Sequence, residues 1–234
     1  MTEGLDGLRD RLAEYRALGA CFAKWRAVIA VDAALPSRAC LLANAHALAR
    51  YAAMCQESGI VPIVEAEVLM DGEHTLGRCF EVTEALLRAV FDELAIQRVA
   101  LDSMVLKSNM VLPGTLCTAK ATAALIAEAT IACLRQTVPP AVPGVAFLSG
   151  GQEPIEATER LNAMARLGPH PWRLTFSFAR ALQEDALLTW RGKESNVAAA
   201  QRTFLHRARC NAAASDGVYS AASEAEPLAG HRGA

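Results

Sequence analysis

The sequence of 234 residues balances 23 lysines and arginines against 25 aspartates and glutamates, a formal charge of -2. That balance provides no basic field on which nucleic acid would condense, and no apolar run reaches the roughly 18 residues of a membrane helix, so neither nucleic acid nor a membrane is an expected partner. The first residues, Met1 to Asp6, carry acid and no apolar signal core, which predicts a soluble cytoplasmic protein of one domain.

Seven cysteines (Cys21, Cys40, Cys55, Cys79, Cys117, Cys133 and Cys210) are spread along the chain with no C-x-x-C pair and no histidine nearby at zinc spacing. The five histidines are scattered as well, none pairing with another at helical spacing. Reduced thiols, no metal site and no cofactor are expected.

In chain order, Leu5, Leu8, Leu12 and Tyr15 recur every three or four residues, which predicts a helix that Gly19 stops. Residues 20–29 read as a strand on which Lys24 and Arg26, two apart, leave the same face. Ser37 caps a helix to Glu57, Gly59 closes it, and the apolar run Ile60 to Val64 ends in Glu65. A helix from Leu76 to about Ala95 then leads to a strand over residues 99–106 that ends in Lys107.

A helix over residues 119–136, the break at Pro139 and Pro140, and the strand Val145 to Leu148 follow, running into Ser149, Gly150 and Gly151. One more helix, the strand Arg173 to Ser177, Arg180, and two closing helices over 180–190 and 195–214 complete the pattern. Residues 1–214 then form the domain, and 215–234, rich in alanine, serine and glycine, are expected to be a mobile tail.

Strands alternating with helices predict a parallel sheet with crossover helices, in an α/β fold. Polar residues gather at the C-terminal ends of successive strands, as they do on the active face of a (β/α)8 barrel, so about five parallel strands of a partial TIM barrel are expected rather than an open sheet.

Lysine, with a reference pKa near 10.4, offers only about one neutral amine in two thousand at pH 7, so a nucleophilic lysine must be perturbed by its surroundings. An apolar strand end and a second cation, Lys24, are the expected perturbers of Lys107. Taken singly, a lysine at a strand end is more often a solvated charge, and Ser-Gly-Gly is a common turn.

The surrounding segments carry a stronger signal. Val105 to Val111 (VLKSNMV) resembles the Schiff-base segment of class I fructose-bisphosphate aldolases, with Ser108 where proline is usual. Phe22 to Arg26 (FAKWR) resembles the strand bringing the family's active-site lysine and a phosphate-facing arginine, and Gly59 to Glu65 (GIVPIVE) the strand delivering its acid-base glutamate. Leu148 to Gln152 and Arg180 to Gln183 resemble its two phosphate-binding loops.

The resemblance covers about residues 5–219 and implies reversible cleavage of fructose 1,6-bisphosphate into dihydroxyacetone phosphate and glyceraldehyde 3-phosphate, in glycolysis, without metal or organic cofactor. It implies Lys107 as the Schiff-base lysine, Glu65 as proton shuttle and Lys24 as a further catalytic residue. Arg26, Ser149, Gly150, Gly151 and Arg180 would hold substrate phosphates, and Glu67 would support them from behind. It also implies that Phe22 to Arg26 is the family's fourth strand, that three strands and a C-terminal tyrosine of the family have no counterpart here, and that a complete barrel is a homo-oligomer.

Departures stand at Asp102 for glutamate, Phe178 for tyrosine and Ala179 for glycine, whose methyl is expected to crowd a phosphate. A non-catalytic relative acting through subunit or protein contacts, and another lysine-dependent barrel such as a transaldolase, are the alternatives.

Overall fold

The computed structural model describes residues 1–225. Its secondary structure begins with α1 (Leu8–Ala17), β1 (Phe22–Ile29), α2 (Arg38–Glu57), β2 (Val61–Val68) and α3 (Leu76–Ile96). It continues with β3 (Val105–Ser108), α4 (Ala123–Thr137), β4 (Gly144–Phe147), α5 (Pro154–Arg166), β5 (Arg173–Phe176), α6 (Arg180–Trp190), α7 (Val197–Ser215) and α8 (Ala221–Ala225). No helix among the described residues is long and apolar enough to cross a membrane.

Hydroxyl caps start the long helices where the chain leaves the sheet. Ser37, Thr75 and Thr122 each accept a hydrogen bond from the backbone N–H three residues on, satisfying one of the donors that a first turn leaves open. Because Thr122 is the cap, α4 begins at Ala123 rather than at the expected residue 119. Gly59, at φ 67°, provides the left-handed turn that releases the chain from α2 into β2.

The five strands lie in the order β1-β2-β3-β4-β5, all neighbouring pairs parallel. A strictly sequential order with helical crossovers winds in one direction only, as a barrel requires, whereas a doubly wound sheet reverses its order. The sheet is therefore an arc of a TIM-like barrel, as the strand-end chemistry predicts.

One face of the arc is apolar and dry. Trp25, Ala27 and Ile29 of β1, Val64 and Ala66 of β2, Leu106 of β3 and Phe147 of β4 are buried there, in one core with Leu48 of α2 and Leu86 and Leu87 of α3. Tyr51 of α2 stacks 5.5 Å from Trp25 and donates its hydroxyl 2.5 Å to the carbonyl of Ala23, so helix and strand are joined by a ring contact and a hydrogen bond. The other face carries the charged row and, on β1 and β2, leaves Phe22, Val28 and Val61 exposed.

The strand expected over 99–106 is shorter, beginning only at Val105 after a 3-10 turn at Leu101–Ser103. Gln56 of α2 explains the difference. Its side chain donates to the carbonyl of Ala100 at 2.8 Å and accepts from the Ala100 N–H at 2.9 Å, occupying both backbone groups that a longer strand would give to the sheet.

Of the expected tail, 215–225 packs against the domain: Tyr219 is buried, its N–H donating to Asn162 of α5 at 3.1 Å. The rest of that tail, 226–234, lies outside the described residues.

Replacing Gln56 with alanine strips Ala100 of both partners. Urea unfolding should show a loss of about 1 kcal/mol with an unchanged denaturant slope.

Candidate active site

Parallel pairing aligns Arg26 with Glu65, Glu65 with Lys107, Lys107 with Ala146 and Ala146 with Thr175. Residues paired in register share a face, so one row of the inner face runs Arg26, Glu65, Lys107, Ala146, Thr175 across all five strands. Lys24 stands two residues before Arg26 on the same face, and Glu67 two beyond Glu65.

Glu65 is only 3% exposed and divides its carboxylate between two lysines. Lys107 Nζ lies 3.0 Å from Oε1, and Lys24 Nζ lies 2.8 Å from Oε2. The second contact is an ion pair outside hydrogen-bonding geometry, because Oε2 has no hydrogen-bond partner. That oxygen is enclosed, with Lys24 as its neighbouring charge. Lys107 is nearly as buried as the glutamate, whereas the side chain of Lys24 is 44% exposed and faces solvent at the mouth.

Arg26 pairs with Glu67 through its Nε, and this hydrogen bond raises the guanidinium pKa above its already high range despite some desolvation. Glu67 is 2% exposed and thus anchors Arg26 from behind. Arg26 meets the open space as a fixed cation rather than a loose side chain.

The opposite wall is backbone. Gly150 at φ 59° and Gly151 at φ 97° follow Ser149 in left-handed conformations that side chains resist, and such turns direct successive N–H groups to one point. A methyl built on Gly151 would come within 3.2 Å of Nη2 of Arg180, which sits beside the loop. Ser177 and Ala179 also line the cavity, whose volume is about 290 Å³. Ala179 has φ -98° and ψ -89°, outside the helical region, where the chain turns into α6.

Lys24, Arg26, Glu65, Lys107, Ser149, Gly150, Gly151 and Arg180, all singled out in the sequence, line this one cavity. Two supporting residues carried no role there. Gln152, buried, donates 2.9 Å to the carbonyl of Ser149 and accepts from Arg160 at 2.8 Å, fixing the glycine loop. Asn109, also buried, accepts from the Val68 N–H at 2.9 Å and donates to Thr83 at 3.2 Å, tying the end of β2 to the segment after Lys107. A polar residue two positions beyond Lys107, inside an apolar run, was the available signal for Asn109.

Outside this cavity, His206, Cys210 and Glu224 bring ligand-type atoms within 4.8 Å of one another. His206 and Cys210 stand four residues apart on α7, a spacing that a search for histidine pairs and C-x-x-C passes over.

A family model described as class I fructose-bisphosphate aldolase matches residues 1–231. The chain belongs to the class I fructose-bisphosphate aldolase family. It is 53% identical over 220 residues to the fructose-bisphosphate aldolase of Dictyostelium discoideum, covering 93% of this chain and 62% of that protein. It is 52% identical over 224 residues to human fructose-bisphosphate aldolase C, covering 95% of this chain and again 62% of the relative. The solved structure of a Plasmodium falciparum fructose-bisphosphate aldolase superposes with a TM-score of 0.92 at 49% identity, over 93% of this chain and 63% of that one. The chain thus spans less than two thirds of these aldolases, and within that span the fold is theirs.

Gly151→Ala would put a side chain at φ 97° and crowd Arg180. Chemical denaturation should show a loss of about 1–3 kcal/mol.

Proposed function

We propose that this chain carries the Schiff-base centre of a fructose-bisphosphate aldolase, cleaving fructose 1,6-bisphosphate reversibly to dihydroxyacetone phosphate and glyceraldehyde 3-phosphate. The observation that carries this reading is the carboxylate of Glu65, 3.0 Å from the buried amine of Lys107 and facing the same cavity as the glycine loop and Arg180. Nucleophilic lysine catalysis needs an amine, a proton shuttle within hydrogen-bond reach and a site that holds the substrate still.

In the proposed sequence, Glu65 takes a proton from the Lys107 ammonium, and the neutral amine attacks the C2 carbonyl. The carbinolamine loses its hydroxyl as water when Glu65 returns that proton, leaving an iminium. Glu65, again a carboxylate, is then the base this chain offers for the C4 hydroxyl proton. As that proton leaves, the C3–C4 bond breaks with its electron pair passing to the iminium nitrogen. Glyceraldehyde 3-phosphate departs, and the enamine on Lys107 is protonated at C3 and hydrolysed to dihydroxyacetone phosphate.

Two anion sites at opposite sides of the cavity suit a bisphosphate. Ser149, Gly150, Gly151 and Arg180 offer backbone N–H groups and a bidentate guanidinium to one phosphate. Arg26, held by Glu67, serves the other. Lys24, on the second oxygen of Glu65, keeps that carboxylate turned toward the cavity.

A second reading, a non-catalytic aldolase relative that works through protein contacts, is favoured by one observation: Phe22, Val28 and Val61 stand exposed on the inner face of the arc.

Borohydride reduction in the presence of dihydroxyacetone phosphate separates the two, because only an iminium is trapped as a stable adduct. The folded chain should gain one adduct, Lys107→Met should gain none, and Glu65→Gln should label more slowly by about 100-fold or more. Folded chain that takes no label would leave only the non-catalytic reading.

A further inference from the structure

We propose that His206, Cys210 and Glu224 form a zinc site that clamps α8 onto α7. Nothing in the aldolase reading requires this site, and its test reads metal rather than sugar-phosphate chemistry.

His206 and Cys210 are four apart in α7, so they lie on one helix face a single turn apart. Glu224 arrives from α8, across the turn at Gly217. Cys210 Sγ lies 3.7 Å from His206 Nε2, and Nε2 lies 3.2 Å from Glu224 Oε2. Tetrahedral zinc, with bonds of about 2.3 Å to sulfur and about 2.0 Å to nitrogen and oxygen, separates S and N by about 3.5 Å and N and O by about 3.3 Å. Two edges of the ligand triangle thus already have about the length that a zinc ion would impose, and the third, between Cys210 and Glu224, is within 4.8 Å.

The donor set selects the ion. One thiolate, one imidazole and one carboxylate suit a borderline-soft transition cation and not magnesium or calcium, which favour all-oxygen shells. The side chains of His206 and Glu224 are 22% and 23% exposed, whereas Cys210 is buried, so the triangle opens to solvent on one side. Water takes the fourth position there.

The carboxylate is oriented from behind. Tyr219 donates 2.7 Å to Oε1, and Arg207 Nη1 lies 2.6 Å from both oxygens. Arg207 is itself fixed, donating 2.6 Å to Thr158 of α5. With Oε1 held by Tyr219 and Arg207, and Oε2 also accepting from Arg207, the remaining lone pair of Oε2 that now meets His206 becomes the metal-binding one, in the manner of carboxylate ligands steered by neighbouring donors. The positive charge of Arg207 opposes a dication. Loss of the Cys210 proton on binding, with the Glu224 carboxylate, places two negative charges at the ion and outweighs that single cation.

The consequence is mechanical. Metal closes a link between α7 and α8, and α7 packs on α5, which follows the glycine loop, and on α6, which begins at Arg180.

The 234-residue chain, stripped with chelator under reducing conditions, is titrated with zinc chloride by calorimetry, and with cobalt chloride by absorbance. One zinc ion per chain, a thiolate-to-cobalt charge-transfer band and a raised melting temperature are the expected results. His206→Gln, a change at a partly exposed position, should weaken zinc by about 100-fold or more, and Tyr219→Phe by about 10-fold. Cys210→Ser should abolish the cobalt band. Should Cys210→Ser fail to fold, His206→Gln and the stoichiometry of the parent chain still decide. An absence of stoichiometric zinc binding, or equal zinc affinity in the parent and His206→Gln, would overturn the proposal.

Discussion

The site depends on one buried carboxylate shared between two lysines. Glu65, 3% exposed, would be costly to keep ionised in an apolar sheet without a partner, and neither lysine would be comfortable near the other without an anion between them. Parallel register places these groups: Arg26, Glu65 and Lys107 fall in one row because β1, β2 and β3 pair in sequence, and Lys24 reaches across from two residues before Arg26. Any slip by one residue would turn the whole charged row into the helix-facing core. The same pairing that builds the barrel arc therefore assembles the charged row, and fold and site cannot be separated on these three strands.

Much of this was legible in the residues. Alternation between apolar runs and amphipathic segments identifies the elements, and charges recurring at strand ends point to one active face. Segments such as FAKWR and VLKSNMV identify the family by order and spacing. What the residues did not disclose were contacts made by side chains distant in sequence. Gln56, in the last turn of α2, shortens β3 by capturing both backbone groups of Ala100, 44 residues away. Asn109 and Gln152 stand inside recognisable segments, yet their service to Val68 and Ser149 is visible only when the loops are folded. Likewise, periodicity along α7 does not show that Glu224 turns back to face His206 and Cys210.

The arc shows an asymmetry between its two faces. Its outer face is covered by α2, α3 and α4, whereas its inner face presents charge together with exposed Phe22, Val28 and Val61. The aldolases it matches are longer, with this chain covering 62% to 63% of the Dictyostelium, human and Plasmodium proteins. The charged row and the glycine loop are already assembled within that span. Support for those loops comes from the C-terminal helices, where α7 packs on both α5 and α6.

The shared carboxylate is tested most directly by a double-mutant comparison of folding stability on Glu65→Gln, Lys107→Met and the pair together. Neutralising Glu65 alone leaves two cations facing one another and should cost about 3 kcal/mol, while adding Lys107→Met should return most of that loss. Strict additivity of the two changes, or a Glu65→Gln chain as stable as its parent, would contradict the claim that this carboxylate organises the site.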